Sequence, residues 1–113
     1  MSFPGIEYIS HIMDEINYLK SHTERLNRDK FMNDETLQRA FVRSIEIIGE
    51  AAKKLPEELK QKHSNIEWKA IAGMRDRLIH DYFGIDYDIV WDVVTNKTPQ
   101  LQKEIQQIID TER

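Results

Sequence analysis

The sequence predicts an all-α fold, an antiparallel bundle of four to six helices that forms one domain over residues 1–113. Apolar residues recur at steps of three and four along most of the chain, which is the spacing of one face of an amphipathic helix. Only four glycines and three prolines interrupt this pattern, so the connections should be short. The β-branched residues between positions 89 and 94 favour a strand, but Trp91 and Asp92 interrupt the alternation that a strand requires, so a helix is predicted there too.

The first half of the chain is divided by its prolines and caps. Pro4 opens the first helix at the N1 position. A polar connection follows at residues 26–32, and Asn33 caps a long second helix whose apolar face extends to Leu55. Pro56 ends that helix and starts a short one.

The second half carries two further helical segments. One runs from about residue 67 to residue 82 and is followed by a turn at Gly84. Asp86 caps the next helix. The pair Thr98-Pro99 supplies the N-cap and N1 positions of the last helix.

Composition excludes several classes of protein. The chain has no cysteine, so a disulfide framework and a thiolate metal site are ruled out. No apolar run approaches the ~18 residues that span a membrane, and the N-terminus lacks the basic-then-apolar pattern of a signal peptide. A cytoplasmic protein is therefore expected.

The charge is unevenly distributed. The formal net charge is −4, yet residues 51–80 hold seven Lys and Arg against four acidic residues, a local excess of +3. The negative total argues against a general nucleic-acid coat protein. The basic third suits a small or transient RNA contact, although a solvated helix face with mixed charges explains most of the lysines as well.

The stretch from Arg75 to Tyr82 reads R-x4-H-x-Y and carries the most specific chemistry of the chain. Arginine offers a planar cationic fork that fits phosphate. The ordinary pKa of a histidine such as His80 lies near neutrality, which suits proton transfer. The combination fits phosphodiester cleavage without a metal ion.

Helical phase separates the two residues. At about 100° per residue, Arg75 and Tyr82 fall in the middle of the apolar face that includes Trp68, whereas His80 lies roughly 140° away from Arg75. Either the helix unwinds near residues 82–84, or a second subunit helps to build the site. The alternative is a structural Arg75 paired with a core carboxylate, with His80 as a favourable cation near a helix C-terminus.

Charged residues on one flank of the second long helix offer Arg75 a carboxylate partner. They are Arg43, Glu46 and Glu50, which neighbour one another at steps of three and four. The carboxylates of Glu46 and Glu50 are predicted to support Arg75, and Asp76 to orient Arg75 or His80. An ion-pair ladder on the surface is the plainer alternative. Gly49 on the same flank would permit close approach by another helix.

Other ionisable residues are assigned no chemistry. The remaining histidines have no companion at ligand spacing and are predicted at the surface or the solvent edge: His11, His22 and His63. Three aspartates follow the motif, one as a cap and two as solvated residues: Asp86, Asp81 and Asp88. No metal site and no cofactor are predicted.

The chain resembles the HepT toxins, DUF86-type members of the HEPN superfamily of small helical ribonucleases. The motif R-x4-H-x-Y carries the resemblance together with its flanking blocks, which are SIEIIGEAAKKLP at residues 44–56, WKAIAGMRDRLIH at residues 68–80, and residues 82–91. The resemblance implies a homodimer with a composite cleft where two motifs meet. It also implies metal-independent cleavage of RNA, with Arg75 and His80 as the catalytic residues.

The resemblance further implies a toxin–antitoxin system. An MntA-type nucleotidyltransferase antitoxin would transfer AMP to Tyr82, placing negative charge and bulk at the cleft. Two other readings stay open from the residues alone. One is a non-catalytic substrate-binding or regulatory partner of a minimal nucleotidyltransferase, and the other is a plain helical dimerisation module.

Overall fold

The computed structural model describes residues 2–79 and 84–113, and their regular secondary structure is helical, which confirms the predicted all-α class. In chain order the helices are α1 (Ile6–Thr23), α2 (Arg28–Met32), α3 (Glu35–Lys53), α4 (Glu57–Lys62), α5 (Trp68–Ala72), α6 (Met74–Leu78), α7 (Tyr87–Asp92), a π-helical turn (Val93–Lys97) and α8 (Thr98–Glu112). Among these helices, none is long and apolar enough to cross a membrane.

The core lies between α1, α3 and α8. Helix α1 packs against both of the others, and the apolar stripes of the three helices face one another. The fully buried members are Ile9, Ile12, Ile16, Leu19, Phe41, Ile45, Ile105 and Ile108. Each such side chain contributes roughly 1.5–3 kcal/mol to folding by its burial, so the three-and-four spacing of the sequence is the packed face of the bundle.

The predicted polar connection at residues 26–32 is wrong, because it contains α2. The Asn27 side chain accepts a hydrogen bond from the Lys30 N–H at 2.8 Å and caps this short helix. Phe31 is fully buried, with its ring 5.3 Å from that of Phe41 and 5.4 Å from that of Trp91. The apolar residues of this stretch, Leu26, Phe31 and Met32, do not follow a helical spacing of three and four. The burial of Phe31 is fixed only by its aromatic partners, which are distant in the sequence.

Two predicted helix starts shift by one or two residues. Asp34 rather than Asn33 is the N-cap of α3, since its carboxylate accepts from the Leu37 N–H at 3.0 Å. Helix α1 begins at Ile6 after Gly5, whose φ of +91° is left-handed. Pro4 therefore precedes the helix instead of occupying N1, and the positive φ is one that glycine adopts at low cost.

The second half ends in a continuous helical path. Asp86 caps α7 as predicted, accepting from the Asp88 N–H at 3.0 Å. The predicted N-cap at Thr98 is wrong, because Thr98 has helical φ and ψ of −60° and −42° and is the first residue of α8. Its hydroxyl donates to the Val93 carbonyl at 3.1 Å. The π-helical turn joins α7 to α8, so Pro99 needs no separate cap in front of it.

Candidate active site

The segment that carries Arg75 is interrupted and shorter than predicted. Helix α5 ends at Gly73, and α6 ends at Leu78. Ile79 is extended, with φ −80° and ψ 121°, and forms an antiparallel bridge with Ile85. The prediction of one helix over residues 67–82 is therefore wrong.

Two physical causes account for this interruption. Glycine within a helix costs about 1 kcal/mol relative to alanine, so the helix is weakest at Gly73. The Leu78 carbonyl accepts a hydrogen bond from the Asp86 N–H at 2.7 Å, which occupies an oxygen that a continuing helix would use. His80, Asp81 and Tyr82 lie outside the described residues.

Gly49 sets the distance between α3 and α5. A Cβ atom at Gly49 would lie 3.2 Å from the Ala72 carbonyl oxygen and 3.5 Å from that of Ile71. The missing side chain lets the end of α5 approach α3 closely, as predicted for this flank. The approaching helix belongs to the same chain, so Gly49 gives no separate support for a dimer.

Arg75 lies at the surface and is held by a carboxylate of α3. Its Nε atom is 3.2 Å from Glu46 Oε2, with the Arg75 side chain 50% exposed and that of Glu46 29% exposed. Asp76 Oδ1 is 4.0 Å from Arg75 Nη1. The predicted place of Arg75 within an apolar face is wrong, because one helical wheel does not describe a segment interrupted at Gly73.

Of the two carboxylates predicted to support Arg75, Glu46 contacts it and Glu50 contacts another residue. The Glu50 Oε1 atom is 3.5 Å from Lys53 Nζ, and the Glu50 side chain is 64% exposed. Glu46 lies one turn before Gly49, the residue at which α5 meets α3. The position of this crossing places Glu46, rather than Glu50, against Arg75.

A shallow pocket of about 370 Å³ lies beside this crossing and is lined by residues of α3, α5 and α6. Its charged lining comprises Arg43, Glu46, Glu50, Lys53, Arg75 and Asp76. The Nε edge of the Arg75 guanidinium faces Glu46, and half of the side chain is exposed. Since a guanidinium has five N–H donors, Arg75 can keep this ion pair and still donate to an anion such as a phosphate group.

All three remaining histidines were predicted at the surface or the solvent edge. His11 and His22 are exposed, but His63 is buried, so the prediction for His63 is wrong. His63 is only 8% exposed, and its Nε2 atom is 2.9 Å from Glu112 Oε2. Lys62 Nζ lies 2.9 Å from the same oxygen. Hydrogen bonds from Lys62 and His63 lower the pKa of Glu112. The histidine thus ties the end of α8 to the loop before α5.

The aspartates after the motif have structural roles where the structure describes them. Asp86 caps α7, and Asp88 forms an ion pair with Arg28. Within residues 2–79 and 84–113, no group of three or more His, Asp or Glu side chains is placed to hold a metal ion.

A small helical bundle with a half-exposed arginine over a charged pocket suits a protein that acts on a phosphate group. The chain belongs to the HepT-like ribonuclease family, since the family model described as "Ribonuclease HepT-like" matches residues 12–108.

Three relatives that carry ribonuclease names support this family assignment. A protein of Caldanaerobacter subterraneus subsp. tengcongensis, named "Putative RNase", is 46% identical over 106 residues, covering 94% of this chain and 95% of its own. A "Putative RNase" of Methanocaldococcus jannaschii is 43% identical over 102 residues, covering 90% and 84%. The "Probable ribonuclease HepT" of Thermococcus cleftensis is 35% identical over 102 residues, covering 90% and 93%. No solved structure matches the chain.

Proposed function

We propose that this protein is a metal-independent endoribonuclease in which Arg75 and His80 act on the scissile phosphodiester. The observation that carries the proposal is the guanidinium of Arg75, half-exposed beside a pocket and paired through Nε with Glu46. Membership of the HepT-like ribonuclease family supports RNA as the substrate.

The reaction follows from the two side-chain types. The RNA 2′-hydroxyl attacks the adjacent phosphorus, and the bond from phosphorus to the 5′-oxygen breaks. His80 moves the proton, as the base toward the 2′-hydroxyl or the acid toward the leaving oxygen. Arg75 neutralises the charge that develops on the non-bridging phosphate oxygens. The products are a 2′,3′-cyclic phosphate and a 5′-hydroxyl.

The site is proposed to be completed by a second copy of the chain, so that two motifs form one cleft across a two-fold axis. Ile79 supports an interface beside the motif. It is a large apolar side chain that is 41% exposed, and it directly precedes His80. Burial of such a side chain against a partner is favourable.

The proposed biological role is that of a toxin controlled by modification of Tyr82. A cognate MntA-like nucleotidyltransferase would transfer AMP from ATP to the tyrosine hydroxyl, releasing pyrophosphate. The added phosphodiester charge would compete with the substrate phosphate for Arg75. Asp76, adjacent to Arg75 in the sequence, is proposed to help orient it.

An RNA cleavage assay with single substitutions tests the nuclease. His80→Ala should lower the rate at least about a hundredfold with the fold retained, because general acid–base catalysis contributes about 10²–10⁴. Arg75→Ala should lower it by a comparable factor of about 10²–10³, and EDTA should leave wild-type cleavage intact.

Arg113→Ala is the matched control for Arg75→Ala. Arg113 is also exposed, at 63%, and its ion pair with Asp110 measures 3.4 Å. It should cleave like the wild type. Full activity of His80→Ala, or loss of cleavage with EDTA alone, would contradict the proposal. A wild-type protein without cleavage activity would favour the regulatory-subunit alternative.

A further inference from the structure

A second and larger groove lies beside the Arg75 pocket. It has a volume of about 940 Å³ and is bounded by α3, α4 and α5. We name it the Trp68 groove, and its walls include Lys53, Lys60, Ile66, Trp68 and Lys69. Both cavities are lined by Lys53 and Ala72, so the Trp68 groove adjoins the pocket beside Arg75.

Trp68 is held in a fixed orientation at the wall of this groove. Its indole Nε1–H donates to the His63 carbonyl at 3.1 Å. The His63 ring is in turn bonded to Glu112 at 2.9 Å. The indole is partly buried and packs against the core. A ring held in this way loses little entropy when a planar group stacks on its exposed surface. Stacking of a nucleic-acid base on an aromatic side chain contributes about 1–3 kcal/mol.

The rim of the Trp68 groove favours a polyanion. Three lysines line it against two glutamates, Glu57 and Glu67, in a chain whose formal net charge is −4. Lys60 is 3.6 Å from Glu57, which is 73% exposed. Such a pair contributes little in water, so a phosphate can replace the glutamate at small cost.

A second copy of the chain is a poorer occupant for this groove. Ile66 on its floor is only 4% exposed, so its apolar surface is already covered. The large exposed apolar side chain of the described residues, Ile79, lies outside the groove. Stable interfaces between copies have apolar centres, whereas this groove combines an aromatic ring with a cationic rim.

We propose that the Trp68 groove binds the single-stranded RNA next to the scissile phosphate. One base stacks on Trp68, and backbone phosphates contact Lys60 and Lys69. The proposal rests on the nuclease function proposed above. Trp68 begins α5 and Arg75 lies in α6, seven residues further along the chain and beyond the interruption at Gly73.

Binding can be measured apart from cleavage. The probe is a single-stranded 2′-O-methyl oligonucleotide of mixed sequence, which lacks the attacking hydroxyl. The chain has two tryptophans, so a Trp91→Phe background leaves Trp68 as its sole tryptophan, and its fluorescence should be quenched on binding. In the wild-type background, Trp68→Leu should weaken binding by about 5- to 150-fold, which corresponds to the loss of one stacked base. Trp68→Phe, which retains a ring, should keep most of the affinity.

The lysines are tested through salt dependence. Lys60→Gln and Lys69→Gln should each lower the slope of log affinity against log salt by about 0.7, the value expected for one phosphate contact of a single strand. Lys103→Gln, on the exposed side of α8, is the control with one charge removed and should leave the slope unchanged. Circular dichroism should show the same helix content for all of these variants.

The outcomes separate the two proposals. Arg75→Ala should stop cleavage of unmodified RNA and retain most of the probe affinity. If the wild type binds the probe through Trp68 but does not cleave RNA, the proposed nuclease function is wrong and the proposed RNA binding in the Trp68 groove still holds. Wild-type affinity in Trp68→Leu, together with an unchanged salt slope in both Lys60→Gln and Lys69→Gln, would overturn the groove proposal alone. So would a Trp68→Leu variant that sediments differently but binds the probe normally, since the groove would then join two copies.

Discussion

Glu46 on α3 and Arg75 on α6 form an ion pair of 3.2 Å that joins the longest helix to the segment bearing the R-x4-H-x-Y motif. With Glu46 29% exposed and Arg75 50% exposed, the pair adds at most about 1 kcal/mol to stability. Its main effect is to restrict where the guanidinium points. We therefore propose that Glu46 positions the guanidinium of Arg75 for the proposed reaction.

Removal of the Glu46 charge should impair cleavage more than folding. In Glu46→Gln, kcat should fall about two- to tenfold, equivalent to no more than about 1.4 kcal/mol. KM should stay the same or fall, because a released guanidinium still attracts phosphate. Glu46→Asp should recover part of kcat. Glu35→Gln, which breaks the exposed pair with Arg39, is the control, and an equal loss there would argue against positioning.

A bulky side chain at Gly49 should push α5 away from α3. A Cβ there already meets the Ala72 carbonyl at 3.2 Å, so Gly49→Leu should cost about 1–3 kcal/mol in the free energy of unfolding. Gly49→Ala should cost less, because the gain in helix propensity of about 1 kcal/mol offsets part of the crowding. Urea denaturation gives both values. Ala40→Leu, at a partly exposed position of α3, should change stability by less than about 0.5 kcal/mol.

Acid should destabilise the contact between α8 and the loop before α5. Hydrogen bonds from Lys62 and His63 lower the pKa of Glu112. A lowered carboxyl pKa contributes stability that is complete above the unfolded pKa and is lost as the pH falls through the folded pKa. The Tm of the wild type should therefore fall on acidification more steeply than that of Glu112→Gln.

Glu104 should show the opposite pH dependence of stability in the same experiment. Burial is the largest of the effects that raise its pKa, so its contribution to stability is lost as the pH rises through the folded pKa. Glu104→Gln should remove this pH-dependent loss of stability. The change in Tm caused by the substitution should therefore be more favourable at neutral pH than at acidic pH. If both glutamine variants changed the Tm profile in the same direction, the two assignments could not both hold.

The proposed dimer should depend on the residue before His80. Ile79→Glu places a charge where a large apolar side chain is 41% exposed. It should weaken self-association at least about tenfold, which is 1.4 kcal/mol. Sedimentation velocity at micromolar concentration should show a dimer for the wild type and monomers for the variant. A monomeric wild type would remove the composite cleft from the mechanism.

Tyr82→Phe should separate nuclease activity from its control. The variant should cleave RNA like the wild type, because the hydroxyl has no role in the proposed chemistry. After incubation with a cognate nucleotidyltransferase and ATP, the wild type should lose activity and the variant should keep it. Mass spectrometry should find AMP on the peptide that contains Tyr82. An adduct confined to Tyr8, Tyr18 or Tyr87 would contradict the assignment.

The sequence by itself determined the fold class and the course of the long helices. Apolar spacing is a local property, and it correctly marked the buried stripes of α1, α3 and α8 as well as the helix at residues 87–92. Asp86 was recognisable as a cap because a capping carboxylate bonds to N–H groups two and three residues away. Gly49 was recognisable as a point of close approach, although its partner was not.

Only the tertiary structure decided the features that depend on residues far apart in the chain. Phe31 is buried because aromatic rings of α3 and α7 cover it, and His63 is buried because Glu112 at the other end of the chain bonds to it. Glu46, not Glu50, contacts Arg75 because α5 crosses α3 at Gly49. A periodic pattern carries no information about such partners, since the free energy that selects them comes from packing and hydrogen bonds formed after the chain has folded back on itself.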